Sequence, residues 1–129
     1  MKSFRFTLLA EGTSDRVLLP IIRWMLLQHH GSIDWIGQLA DLSNLQNPPK
    51  SLVDRVSAAI SYFPADILFV HRDSDGFPVE TRIDEVRSAF HINGISNCMA
   101  CIPVIPVRMT EAWLLIYGVK IVGEVSKDN

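Results

Sequence analysis

Acidic side chains follow three of the apolar runs in this sequence. Glu11 follows the first run, Asp73 and Asp75 follow a later one, and Glu111 follows the last. Two carboxylates separated by one residue at the end of a strand are expected to point the same way. Carboxylate oxygens are preferred ligands of hard cations such as Mg²⁺ and Mn²⁺. With Glu11 brought in across a sheet, the sequence predicts a divalent-cation site, for which Glu111 is a fourth candidate carboxylate.

Electrostatics also favours a bound cation among these carboxylates. Several negative charges in one crevice repel each other, and some of them would have to take up protons. A divalent cation removes this repulsion and keeps the carboxylates ionised. A bound metal is therefore the simpler way to accommodate the predicted cluster.

The sequence Asp73-Ser74-Asp75-Gly76 has a second interpretation, as an ordinary turn. Aspartate can bond its own backbone, and glycine readily takes a positive φ. Taken alone, these four residues favour the turn. The pair Glu11-Gly12 at the end of another predicted strand shifts the interpretation toward a metal site. An EF-hand is excluded, because its fifth position would be Phe77, which has no ligand atom.

Basic residues near the same motifs are candidates for phosphate contacts. Arg72 and Arg108 flank the acidic motifs, and Gly12 is the third candidate. The guanidinium group suits bidentate phosphate binding. The alternative is that Arg72 and Arg108 neutralise neighbouring carboxylates in structural ion pairs. His71 shares the strand parity of Asp73 and is interpreted as a packed strand histidine rather than a ligand.

Other residue types that could do chemistry are interpreted as structural. Cys98 and Cys101 have redox spacing but precede a strand, whereas a redox pair is expected to follow one and begin a helix. Zinc would need two further ligands, which no nearby Cys or His supplies. Trp24 and Trp113 are expected to pack in the core rather than stack on bases.

The elements that position these residues alternate along the chain. Strands are predicted for residues 4–10, 33–39, 66–72 and 100–107. A helix after each strand is predicted from its apolar stripe, with caps at Thr13 or Ser14, at Asn47 and at Thr110, and with Pro78 opening the third helix. A kink or a true helix start is expected at Pro20. Pro103 suggests an edge position for the last strand.

This alternation predicts an α/β fold with a mostly parallel four-stranded sheet and helices on both faces. Ligands of such folds bind beyond the carboxyl ends of the strands, which is where the acidic motifs fall. The length of 129 residues fits one domain over 1–129, with residues 119–129 as a frayed or truncated tail.

Composition limits the function classes. Hydrophobic residues are 48% and charged residues 20% of the chain, which is typical of a folded protein. The net charge of −2 predicts no general attraction to nucleic acid, so any such contact must be local. No apolar stretch is long enough for a membrane span or a secretory signal, and a cytoplasmic protein is expected.

The motifs and their order resemble those of the TOPRIM family. The resemblance is carried by Glu11 to Asp15 after the first strand, by Asp73 to Gly76 after a later one, and by the β-α-β-α-β-α-β order, and it spans nearly the whole chain. The segment 106–113 is similar to that of small bacterial TOPRIM-like proteins. TOPRIM domains are the metal-dependent catalytic modules of topoisomerases, bacterial primases and OLD-type nucleases.

The resemblance implies a role for each acidic residue. By this resemblance, Glu11 is expected to act as general acid or base, and Asp73 and Asp75 are expected to bind Mg²⁺. Gly76 follows Asp75 directly, whereas in topoisomerases the glycine comes later, so the topoisomerase branch is not favoured. A strand-passage or priming domain does not fit into 129 residues.

The expected function is therefore Mg²⁺- or Mn²⁺-dependent phosphodiester hydrolysis on nucleic acid. A rival enzyme class, the receiver-like phosphotransferases, would need an aspartate at the end of the first strand, where Glu11 stands. A non-enzymatic alternative is a TOPRIM-like binding or partner subunit that retains the metal site, with a protein partner or a second copy. The net charge of −2 favours this alternative over an autonomous DNA enzyme.

Overall fold

The computed structural model describes residues 2–10, 16–92 and 100–105, which contain four strands and three helices. The strands are β1 (Lys2–Leu9), β2 (Ile33–Ala40), β3 (Ile67–His71) and β4 (Ala100–Val104). The helices are α1 (Leu18–His29), α2 (Leu52–Tyr62) and α3 (Val79–Ile92). All strand pairs are parallel, in the order β2-β1-β3-β4. The predicted α/β class is confirmed.

Strand β3 and the second half of β1 are buried on both faces, which explains why these segments are mostly apolar. Alternate residues of β1 and β3 enter two separate hydrophobic clusters. The α1-side cluster contains Phe6, Leu8, Ile67 and Phe69 with the buried stripe of α1. The α2/α3-side cluster contains Leu9, Leu68 and Val70 with Val56 and Ala59 of α2 and Val86 and Ala89 of α3. Helices therefore cover both faces, as predicted.

Strand β2 forms one edge of the sheet and confirms the predicted strand over 33–39. Its Trp35 is buried and lies against Phe4, with ring centroids 5.6 Å apart. Gly37 pairs with Phe6, and a Cβ atom at residue 37 would lie 2.3 Å from Cζ of that phenylalanine. A residue without a side chain is therefore needed where the Phe6 ring lies against β2. Arg23 covers part of the edge by donating from Nε to the Trp35 carbonyl oxygen, at 3.2 Å.

The helices begin later than the predicted caps. Helix α1 has Val17 in the N-cap position, so the prediction of Thr13 or Ser14 is wrong. Pro20 is the third helical residue, where no intrahelical partner is needed for a backbone N–H. The N-cap of α2 is Ser51, whose hydroxyl accepts from the Asp54 N–H, and not the predicted Asn47.

Two further predictions concern single side chains and have opposite outcomes. Pro103 lies on the edge strand β4, as expected for a residue without a backbone N–H. The prediction that Trp24 packs in the core is wrong, because its side chain is 49% exposed. The buried stripe of α1 runs through Leu18, Ile22, Met25 and Leu26, which leaves Trp24 on the opposite side of the helix. Trp113, Cys98 and the predicted last helix lie outside the described residues.

Within the ranges that the structure describes, no helix combines the length and apolar character needed to cross a membrane.

Candidate functional site

The sheet brings the ends of β1 and β3 together. The two strands are neighbours in a parallel pair, and Leu9 is the register partner of Val70. The backbone that leads into Glu11 and the backbone that leads into Asp73 therefore leave the sheet side by side. This edge is where ligands bind in open parallel sheets.

Four of the seven predicted site residues lie outside the described residues. Glu11, Gly12, Arg108 and Glu111 belong to this group, and their roles stay predictions. In the described part of the chain, no group of three or more His, Cys, Asp or Glu side chains comes together as metal ligands would. Glu11, the third ligand predicted from the sequence, is not in this part of the chain.

Asp73 and Asp75 lie in a turn that we call the acidic turn (residues 73–77). Strand β3 ends at His71, so the strand alternation that predicted a common direction for the two carboxylates does not extend to them. The Phe77 N–H donates to the Ser74 carbonyl oxygen at 2.9 Å. Asp75 and Gly76 have φ angles of 49° and 81°, as in a type I′ turn. These residues therefore form a turn, in which Gly76 has the expected positive φ.

The turn presents both carboxylates to solvent. The side chain of Asp73 is 55% exposed and that of Asp75 is 69% exposed. His71 is buried at the end of β3, as interpreted from the sequence, and its Nε2 lies 3.7 Å from Oδ1 of Asp73. The oxygen atoms of the two aspartates therefore remain accessible to a hard cation, and carboxylates are suitable donors for Mg²⁺ or Mn²⁺.

Sequence reasoning missed Arg82, which contacts the acidic turn from α3. Its side chain is 8% exposed, and its Nε donates to the Ser74 carbonyl oxygen at 3.3 Å. Its guanidinium lies 4.3 Å from the centroid of the Phe77 ring. Its Nη2 is 3.8 Å from Oδ2 of Asp75. The sequence offered one indication of this role. Arg82 is a charged residue three positions after Val79, at a spacing that belongs to the apolar stripe of the helix.

Glu85 joins Arg82 to the end of β3. Both of its carboxylate oxygens accept from Nη1 of Arg82, at 3.1 and 2.9 Å, and Oε2 also accepts from Nε of Arg72 at 2.8 Å. The ion-pair alternative for Arg72 is therefore present in the structure. Burial raises the pKa of the Glu85 carboxyl, but the hydrogen bonds from Arg82 and Arg72 outweigh it and hold this pKa below its ordinary value.

This lowered pKa predicts a loss of stability in acid. A carboxyl whose pKa is lower in the folded protein stabilises the fold above its unfolded pKa of about 4.5 and loses that contribution as the pH falls through the folded value. Because Glu85 is part exposed, we expect Glu85→Gln to cost about 1 kcal/mol or less at pH 7. Urea unfolding of both proteins from pH 7 to pH 3 measures the difference, which should shrink below about pH 4.5. A constant difference would contradict the prediction.

Two further charged residues lie at the carboxyl ends of β1 and β2. Nη2 of Arg55, from α2, donates to the Ala10 carbonyl oxygen at 2.5 Å, directly before Glu11. Asp41 follows the end of β2. The hydroxyl and the backbone N–H of Ser43 hold the pKa of Asp41 below its ordinary value, and the charge of Arg16 acts in the same direction. Neither Arg55 nor Asp41 was singled out from the sequence.

A pocket of 370 Å³ opens elsewhere, between α1 and β2. Phe6, Arg23, Trp35 and Gly37 are among its lining residues. None of the residues that line it belongs to the acidic turn. The described residues of the predicted site, Arg72, Asp73 and Asp75, therefore do not line this pocket.

Comparisons of the chain with protein-family models, with curated proteins and with solved structures found no match.

Proposed function

We propose that this protein is a TOPRIM-like phosphodiesterase that hydrolyses nucleic acid with Mg²⁺ or Mn²⁺. The observation that carries the proposal is the adjacency of β1 and β3 in a parallel sheet. The strands that precede Glu11 and the acidic turn therefore end side by side, which supports a shared site at this edge. The exposed carboxylates of Asp73 and Asp75 support it further, because a cation can reach them.

In this proposal, Asp73 and Asp75 hold the divalent cation through their carboxylate oxygens. When bound, the cation supplies Lewis-acid stabilisation of the charge that develops on the phosphate oxygens. Glu11 transfers a proton as general acid or base, the role implied by the TOPRIM resemblance. Gly12 and Arg108 are proposed to contact the phosphate. Arg72 already donates to Glu85, so it would contact the phosphate while keeping that hydrogen bond.

The second candidate function is a non-catalytic binding or partner subunit that keeps the metal site. Two observations favour it. The net charge is −2, and the one arginine of the predicted phosphate site that the structure describes, Arg72, already donates to Glu85. Both facts reduce the positive potential available for a nucleic-acid backbone. The two functions share the cation and differ in turnover.

The test is a hydrolysis assay on the purified protein. Supercoiled plasmid and end-labelled single-stranded and double-stranded DNA and RNA are incubated with Mg²⁺, Mn²⁺ or EDTA, while calorimetry measures Mn²⁺ binding. The phosphodiesterase proposal expects products with either metal and none with EDTA. Normal Mn²⁺ binding without any product would favour the partner subunit. Absence of both binding and products would reject the metal site itself.

A further inference from the structure

The acidic turn has few contacts that could hold its shape from within. The structure gives it one internal backbone hydrogen bond, from the Phe77 N–H to Ser74. Asp75 adopts a left-handed conformation at φ 49°, which is uncommon for residues other than glycine but which an Asp-Gly pair favours in a type I′ turn. Four of its five residues are exposed to solvent. The conformation of the turn therefore depends on this local preference and on contacts from outside it.

Arg82 supplies such contacts, and it does so through groups other than the two carboxylates. Its Nε bonds the Ser74 carbonyl oxygen, and its guanidinium plane lies over the Phe77 ring, so it contacts the turn on both sides of Asp75 and Gly76. The distance of 3.8 Å from Nη2 to Asp75 is too long for a hydrogen bond. Arg82 therefore pairs with the Asp75 carboxylate without a hydrogen bond, and this side chain is 69% exposed, so a cation can reach its oxygen atoms from solvent.

The guanidinium itself is fixed by Glu85. Nη1 donates to both oxygens of this carboxylate, and Arg72, which directly precedes the turn, donates to the same group. The backbone N–H of Arg72 also donates to the Val104 carbonyl oxygen at 3.0 Å, which ties this position to β4. The Glu85 carboxylate therefore connects Arg72, which precedes the turn, to Arg82, which contacts the turn at Ser74 and Phe77.

We propose that Arg82 is a positioning residue that holds the acidic turn in the conformation presenting Asp73 and Asp75 to a divalent cation. Its planar group bonds a backbone carbonyl, a ring and a carboxylate at once, and the ammonium group of lysine cannot reproduce this geometry. The part that concerns the cation rests on the function proposed above. The part that concerns the turn does not, so the two can be tested separately.

The experiment measures the turn and the metal in the same proteins. Hydrogen exchange of the Phe77 amide, followed by NMR, reports whether its bond to Ser74 persists, and calorimetry reports the affinity for Mn²⁺. The variants are Arg82→Lys and Arg82→Met. Arg87→Met is the matched control, since Arg87 is an exposed arginine on the same helix. Phe77→Ala removes only the stacking partner and decides the question if the Arg82 variants do not fold.

We expect the Arg82 variants and Phe77→Ala to lower protection of the residue 77 amide and to weaken Mn²⁺ binding by about tenfold or more, as for other residues that orient metal ligands. Arg87→Met should change neither. Wild-type protection of this amide in folded Arg82 variants, or unchanged Mn²⁺ affinity after the protection is lost, would overturn the proposal. If wild-type protein binds no Mn²⁺, the metal site is rejected, and amide exchange still decides whether Arg82 holds the turn.

Discussion

Glu11→Gln is expected to lower the rate of metal-dependent hydrolysis by about 10²- to 10⁴-fold, the range typical for loss of a general acid or base. The amide of glutamine cannot take up or release the proton, but it is close in size to the carboxyl that it replaces. If Asp73 and Asp75 are the main ligands, most of the stabilisation by metal should survive. The loss should appear in kcat and kcat/KM together, since proton transfer matters in the transition state.

The measurement pairs single-turnover hydrolysis with melting temperatures at several Mn²⁺ concentrations. Glu80→Gln is the matched control, because Glu80 is an exposed glutamate of α3. It should behave as wild type in both assays. A Glu11→Gln protein that keeps its rate would exclude Glu11 as the proton-transfer group. One that loses metal stabilisation entirely would reassign this residue as a principal ligand.

Asp73→Asn and Asp75→Asn are expected to lose activity because they bind the cation more weakly, and not because proton transfer is lost. A metal at ten times its dissociation constant stabilises the folded state by about 1.4 kcal/mol. Each asparagine variant should lose most of this gain, and activity should return in part at higher Mn²⁺. Asparagine is the suitable replacement at residue 75, because it tolerates the left-handed φ of 49° and so removes charge without straining the turn.

Calorimetry with Mn²⁺ and melting curves with and without the metal give the comparison. Asp84→Asn removes an equally exposed carboxylate from α3 and should leave metal binding unchanged. If both turn variants gain as much stability from Mn²⁺ as wild type does, the acidic turn does not hold the cation. Recovery of activity without a change in affinity would also contradict the assigned roles.

The fold was predictable because its hydrophobic patterns are strong and mutually consistent. The short continuous apolar run of β3 is typical of a strand buried on both faces, and the stripes of α2 and α3 recur at helical spacing. Helix starts were less predictable, since several polar residues near Ser51 could serve as a cap and only the tertiary structure selects one. Trp24 shows the same limit, because a large apolar side chain next to a stripe need not belong to it.

The candidate site was predictable in position and less so in detail. The alternation of strands and helices predicts parallel strands, so the motifs were expected at the carboxyl ends of the strands. The path of the acidic turn could not, because it depends on Arg82 and Glu85, which lie several residues later in the sequence. Neither residue was singled out from the sequence, and the three-dimensional structure turns Arg82 inward.

The division of the core into two clusters has a consequence for how this protein can change over evolutionary time. Helix α3 contributes Val86 and Ala89 to the α2/α3-side cluster and also carries Arg82 and Glu85. Mutations that repack this side are expected to shift Arg82 and Glu85. They would therefore change the conformation of the acidic turn together with the thermal stability. The side chains described above as contacting the acidic turn, those of Arg82 and His71, do not belong to the α1-side cluster. Stabilising mutations in the α1-side cluster are therefore the ones expected to disturb the acidic turn least.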